Sequence, residues 1–274
     1  MGWASASMPA WADHPFSACI KFRNLIGQAA GLPYQIIVMT VQQILSRLEE
    51  LGSPQIKKIL MKHGAQEPLF GVKVEDIKKL QKQIKGDAQA IALELYDTGN
   101  ADAMYMAGLM ANGAKMSEKE LQHWVDHANS PALSEYTVPW VTSEHPKAWA
   151  IALKWIDSKK ELTAAAGWNT LAGLLSLIPD EQLDIAAVKQ LMERVKDNIL
   201  TAPDRVRYTM NGFIISAGTY VPALTAEALL LARKIGVLSV NMGGTACKVP
   251  FAPDYILKAK DRGSIGKKKK TIKC

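Results

Sequence analysis

Cysteine is scarce, with only Cys19, Cys247 and Cys274 in 274 residues. Three thiols cannot form a disulfide framework, and this usage points to a reducing cytoplasm. Long apolar runs are missing as well. Stretches such as Ile36–Ile37–Val38–Met39 fall far short of the roughly 20 residues a membrane span needs. The first 38 residues have no basic segment followed by an apolar one, so no secretory signal is expected there. Strand-like alternation is nearly absent, and so are the common phosphate and nucleophile signatures. There is no Gly-x-Gly-x-x-Gly and no Gly-x-Ser-x-Gly. Gly266–Lys267 fails as a phosphate loop, because Asp261 stands where the first glycine belongs and no Ser or Thr follows the lysine. His123 and His127 have the i, i+4 spacing of two metal ligands, but Trp124 occupies the place a zinc protease gives to glutamate. An ordinary polar helix face accounts for them, so neither metal nor cofactor is expected.

What is present is helical grammar. From Thr40 onward, Val41, Ile44, Leu45, Leu48 and Leu51 follow the i, i+3, i+4, i+7 spacing of one buried stripe. Thr40 with Gln43 and Ser117 with Glu120 have capping-box spacing. Pro54 suits a first helical position, and Gly64 suits the left-handed residue just past a helix end. Similar segments recur over 74–84, 87–97, 101–111, 146–156, 160–177, 181–200, 204–217 and 225–235. About eleven helices result, in pairs of about 35–40 residues, close to the period of HEAT-like units. The fold class expected is all-α, a HEAT-like helical-repeat solenoid of the ARM type, with a compact irregular bundle as the other arrangement. Residues 1–38, which contain Trp3, Trp11, Pro9, Pro15 and Pro33 without a sustained period, read as an irregular N-terminal extension or a translated upstream leader. Residues 39–262 read as the helical-repeat domain, and 263–274 as a basic tail whose lysine run Lys267–Lys270 stays solvated unless a partner neutralises it.

Charge is distributed unevenly. The net value is +7. Residues 201–274 hold 13 Lys and Arg against 4 Asp and Glu, whereas 87–130 hold 2 against 7. Basic ends flanking an acidic middle fit a polyanionic partner, nucleic acid before membrane. Trp124, Trp140, Trp149, Trp155 and Trp168 fall within one 45-residue stretch. Such rings either fill the core or line a groove where they stack on a base.

Several segments carry a family resemblance. Phe70-Gly-Val-Lys-Val-Glu-Asp-Ile-Lys-Lys-Leu80, Leu93-Glu-Leu-Tyr-Asp-Thr-Gly99, Ala150–Ser158 and Gly167–Trp168 resemble the AlkD-like DNA alkylation repair enzymes. So do Met242–Pro250 and Gly266–Lys270, which look like one subfamily of them. The resemblance covers about residues 40–274. It implies HEAT-like helix pairs around a basic concave groove that holds duplex DNA, and excision of N3- and N7-alkylated purines by a DNA glycosylase. In that family an aspartate stabilises positive charge developing on the sugar, aromatic rings line the site and an arginine contacts the backbone. Carried over, the aspartate position is Glu135, one preceding tryptophan becomes Pro131, the arginine becomes Ala165, and a later tryptophan falls at Gly212 or Phe213.

The resemblance therefore implies Glu135 as the catalytic carboxylate; the groove aromatics expected are Tyr136 beside it, Trp168 after the small Ala164–Gly167 stretch, and Phe213. The cations assigned to DNA are Lys73, Lys154, Arg205, Arg207, Lys248, Lys267, Lys268, Lys269 and Lys270. The partner expected is duplex DNA, alkylated or distorted, bound by a monomer. Two other functions stay open: a non-catalytic HEAT-like DNA-binding protein, and an α-solenoid scaffold for a protein partner.

Overall fold

A computed structural model describes residues 39–274 apart from Gly244 and Ala246. The extension expected over 1–38 lies outside the described residues. Within them the chain forms thirteen α-helices and no β-strand, as the apolar spacing predicts. No single helix there is long and apolar enough to cross a membrane.

The first helix, α1 (Val41–Leu51), starts where expected. The Gln43 amide donates to Thr40 Oγ1 at 3.3 Å, and the Thr40 amide donates to Gln43 Oε1 at 2.9 Å. Next, α2 (Pro54–Lys62) begins on its proline, and Gly64 follows its end at φ 88°. The Phe70-Gly-Val segment then enters α3 (Val74–Gln83) through a tight bend. Gly71 sits at φ 82°, and a Cβ there would lie 2.4 Å from the Lys57 nitrogen. Only glycine fits both constraints. Asp102 holds the bend in place, its buried carboxylate accepting from the Phe70, Gly71 and Val72 amides at 2.7–3.0 Å.

From α4 (Ala88–Asp97) and α5 (Ala101–Met110) onward, outer and inner helices alternate. The outer ones are α4, α6 (Glu118–His127), α8 (Ala148–Ile156) and α10 (Ile185–Asn198). The inner ones are α5, α7 (Val138–Thr142), α9 (Glu161–Leu177) and α11 (Asp204–Tyr220). Composition separates the two layers. Helix α10 buries only Val188, Leu191, Met192 and Val195, the single stripe of a surface helix, whereas α9 is buried along nearly its whole length. Helices α9 and α11 run in parallel register. Glu161 accepts from the Arg205 amide at their starts, Trp168 packs on Phe213 at mid-length, and the same tail segment bonds Ser176 and Thr219 at their ends. Two apolar cores meet at α8 and α9: Ile151, Trp155 and Ala166 belong to the N-terminal one, and Ala152, Ile156 and Trp168 to the C-terminal one. Helices α12 (Thr225–Ile235) and α13 (Ala252–Asp261) close the array.

Two helices exceed the expected set. Both α7 and α13 carry proline in their first turn, where it is tolerated; α7, with five residues, is too short to display a period, whereas α13 has ten and buries Ala252, Ile256 and Ala259 at helical spacing.

The basic tail departs from the expected solvated run. Lys268 Nζ donates to the carbonyls of Leu175 and Tyr220 at 2.9 and 2.8 Å and pairs with Asp180 at 2.7 Å. Lys273 Nζ pairs with Glu144 at 2.9 Å and donates to the Ala111 carbonyl. Ile272 lies on Gly173. The tail is thus a strap running back across the C-terminal ends of α11, α9 and α5. Those ends expose unpaired carbonyls and the negative pole of each helix dipole, which lysine satisfies on both counts.

Candidate functional site

The segment joining α6 to α7 turns through Leu133–Thr137 with π-helical geometry. Such turns are rare and gather at functional sites. Glu135 sits in its middle, and its side chain has no solvent exposure. Arg205, in the first turn of α11, reaches it as a two-pronged fork: Nε to Oε1 at 2.5 Å and Nη2 to Oε2 at 2.6 Å. The guanidinium also lies over the Tyr208 ring at 4.7 Å and touches Met242 Sδ at 3.5 Å. The Tyr136 hydroxyl donates to that of Tyr208, and Asn169 Nδ2 donates to the Glu135 carbonyl. Gly243, next to Met242, is pressed against the Lys62 carbonyl at the end of α2.

Burial governs the electrostatics. It pushes the Glu135 carboxyl above its ordinary range, against the pull of the Arg205 guanidinium. Desolvation weakens Arg205 too, but the Glu135 carboxylate more than offsets this and keeps it protonated. Burial, with Glu135 next, lifts the Tyr208 hydroxyl to about 12. Burial and then the Arg205 charge lower the His63 imidazole. The pair is a nearly dry, neutral unit, with 12% exposure left on the Arg205 side chain and none on that of Glu135, although Glu135 is among the residues that line the neighbouring cleft.

Beside it opens a cleft of about 70 Å³ between the π turn, α9 and α11. Tyr136, Trp140 and Tyr208 supply its rings, Asn169 and Ser216 its polar groups, and Gly212 part of its floor. Pro250 and Ile272 form walls. Of the two positions that the resemblance gives to the later family tryptophan, Gly212 lines the cleft, whereas Phe213 points into the core.

Of the residues assigned from sequence, the structure brings Glu135, Tyr136 and Arg205 together. It places Trp168 and Phe213 elsewhere. Both have 0% exposure and pack on each other at 5.3 Å between ring centres, so they fill the core and line no groove. Arg207 ties the turn before α11 to the loop after α12, donating to the Ala202 and Ser239 carbonyls at 2.8 Å each. Lys268 is consumed as described, and Lys269 is half-buried near the Tyr220 ring at 5.5 Å, its amine lowered to about 8 by burial. Lys73, Lys154, Lys248, Lys267 and Lys270 remain exposed, with Lys73 before α3 and Lys154 on outer helix α8. The sequence reading missed the partnership of Tyr208 and Asn169 with Glu135. Asn169 is 34 residues from Glu135 on α9 and Tyr208 lies further on in α11, so neither gave a local signal. Among the described residues no group of three or more His, Cys, Asp or Glu could hold a metal. His123 instead meets Asp97 at 2.7 Å, and His127 meets the His123 carbonyl at 2.8 Å.

Comparison with known proteins places this geometry. Residues 44–235 match the family model for DNA alkylation repair enzyme. Two uncharacterized Listeria proteins, Lin0241 of Listeria innocua and Lmo0209 of Listeria monocytogenes, are each 31% identical over 229 residues, covering 82% of this chain and 99% of theirs. A solved structure is described as representing a new family of proteins related to the HEAT-like repeat DNA glycosylases with affinity for branched DNA structures. It superposes with a TM-score of 0.79 at 36% identity, covering 86% of this chain and 100% of its own. The paired helices are therefore HEAT-like repeats, and the chain belongs to the DNA alkylation repair enzyme family.

Proposed function

We propose that this protein binds branched or distorted duplex DNA and does not use Glu135 to release alkylated bases. One observation carries the reading: the Glu135 carboxylate is fully buried and neutralised by a two-pronged Arg205 contact. Excision of a base needs negative charge facing the sugar as positive charge grows there. A carboxylate already saturated by a guanidinium offers little of it. Ala165 in turn cannot hold the phosphate that the family's arginine contacts. The affinity for branched DNA described for the solved relative supports the binding half of the proposal, as does the excess of cations over residues 201–274. Lys248, Lys267 and Lys270, all exposed, are the cations assigned to phosphates.

Fluorescence anisotropy on a three-way junction and on a linear duplex of the same sequence, between 50 and 200 mM salt, tests this. The junction should bind more tightly, with a steep salt dependence. Replacing the three lysines by alanine should flatten the slope of log K against log salt by up to roughly 2–3, at about 0.9 per lost phosphate contact. Equal affinities for the two DNAs, or an unchanged slope, would refute the reading.

A further inference from the structure

We propose that the cleft beside the Glu135–Arg205 pair receives a single unpaired nucleobase at the branch point of the DNA, an inference that rests on the binding function above. The opening has a specific cause. A Cβ on Gly212 would meet nothing nearer than Asn169 Oδ1 at 3.7 Å, so the floor is empty because glycine carries no side chain. The other close glycine of the cleft, Gly173, is already covered by Ile272.

The lining fits a base. Tyr136, Tyr208 and Trp140 supply aromatic surface, and every base has a face that stacks on such rings. Asn169 Nδ2 is engaged by the Glu135 carbonyl, which leaves its Oδ1 as an acceptor beside Gly212. Ser216 adds a hydroxyl that donates or accepts. An acceptor and a hydroxyl side by side match the alternating donors and acceptors along a base edge. The Glu135–Arg205 unit has no net charge, so the cleft suits a neutral ring over a cationic alkylated one. An unpaired base costs the least to draw out of a stack. The flanking phosphates would stay outside, where exposed Lys248 and Lys270, each two residues along the chain from the lining residues Pro250 and Ile272, are the cations assigned to them.

The test uses the full chain and two three-way junctions, one fully paired and one with a single unpaired 2-aminopurine at the branch. The parent should prefer the unpaired junction by roughly tenfold, the scale of one stacked base, and 2-aminopurine emission should change on binding. Gly212→Leu fills the cleft, and its preference should fall to within about twofold of unity, with thermal melting confirming that the variant is folded. Ser216→Ala, a smaller change, should lower the preference in the same direction and serves if the leucine variant does not fold. Equal affinity of the parent for both junctions, or a preference that survives Gly212→Leu, overturns the base pocket while leaving junction binding intact. Failure to bind either junction overturns the binding function, and this inference with it.

Discussion

Replacing Arg205 with alanine would strand the Glu135 carboxylate inside the protein. The parent pair is almost dry, at 12% and 0% side-chain exposure. Removing one partner of such a pair costs about 3–5 kcal/mol, because the remaining charge has neither water nor a counter-ion. For a folded unit of this size that lowers Tm by roughly 6–20 °C. The loss should depend on pH with a definite sign. Burial already holds the Glu135 carboxyl above its ordinary range with the guanidinium present, and without it the carboxyl rises further. A carboxyl whose folded value exceeds its unfolded one loses stability as pH climbs between the two, since the unfolded chain gives up its proton first. The Arg205→Ala deficit should therefore be full at pH 8 and shrink toward pH 5. Urea denaturation of parent and variant at both values measures it. Glu135→Leu combined with Arg205→Met, which removes both charges, should recover most of the loss. A deficit below about 1 kcal/mol at pH 8, or one equally large at pH 5, would show that the pair is wetter than the structure describes.

Two further substitutions test the placement of residues once assigned to DNA. Trp168→Ala should cost about 3–5 kcal/mol by emptying the core around Phe213 while leaving junction affinity of the folded protein within twofold, so a selective loss of DNA binding would return Trp168 to the groove. Lys268→Met should lower stability by about 2–3 kcal/mol, since its ammonium satisfies the Leu175 and Tyr220 carbonyls; an unchanged denaturation midpoint would mean that the strap detaches in solution.

Local features were legible in the sequence because their causes are local. The Thr40 and Ser117 caps each involve two residues three apart, and both form as expected. Of the apolar stripe expected in α1, Ile44 and Leu48 are buried and Val41 and Leu45 half-buried, whereas Leu51 at the helix end is exposed. Helix α7 was hidden because a five-residue helix after a π turn shows neither 3.6-residue spacing nor a cap. Glu135 was found through the family resemblance, but its partner is 70 residues away on α11, and no spacing rule connects them. Arg205 and Lys268 were assigned to DNA because an isolated cation in sequence carries no sign of the carbonyl or carboxylate waiting for it. The tryptophan cluster was ambiguous for a related reason. Trp168 and Trp140 share composition and neighbourhood, yet the first is sealed between α9 and α11 and the second borders the cleft. Which face of an inner helix meets the next helix is set by stacking of the repeats, not by the helix itself.

The central claim is binding without excision by Glu135, and one incubation addresses it. A three-way junction carrying N7-methylguanine is mixed with excess protein, and the bound fraction and the released base are measured in the same sample. The account predicts a saturated complex with no methylguanine released above the protein-free rate. Release that is enzyme-dependent and falls by roughly 10²-fold or more in Glu135→Gln, the scale of losing one electrostatic contact in a site, would contradict it.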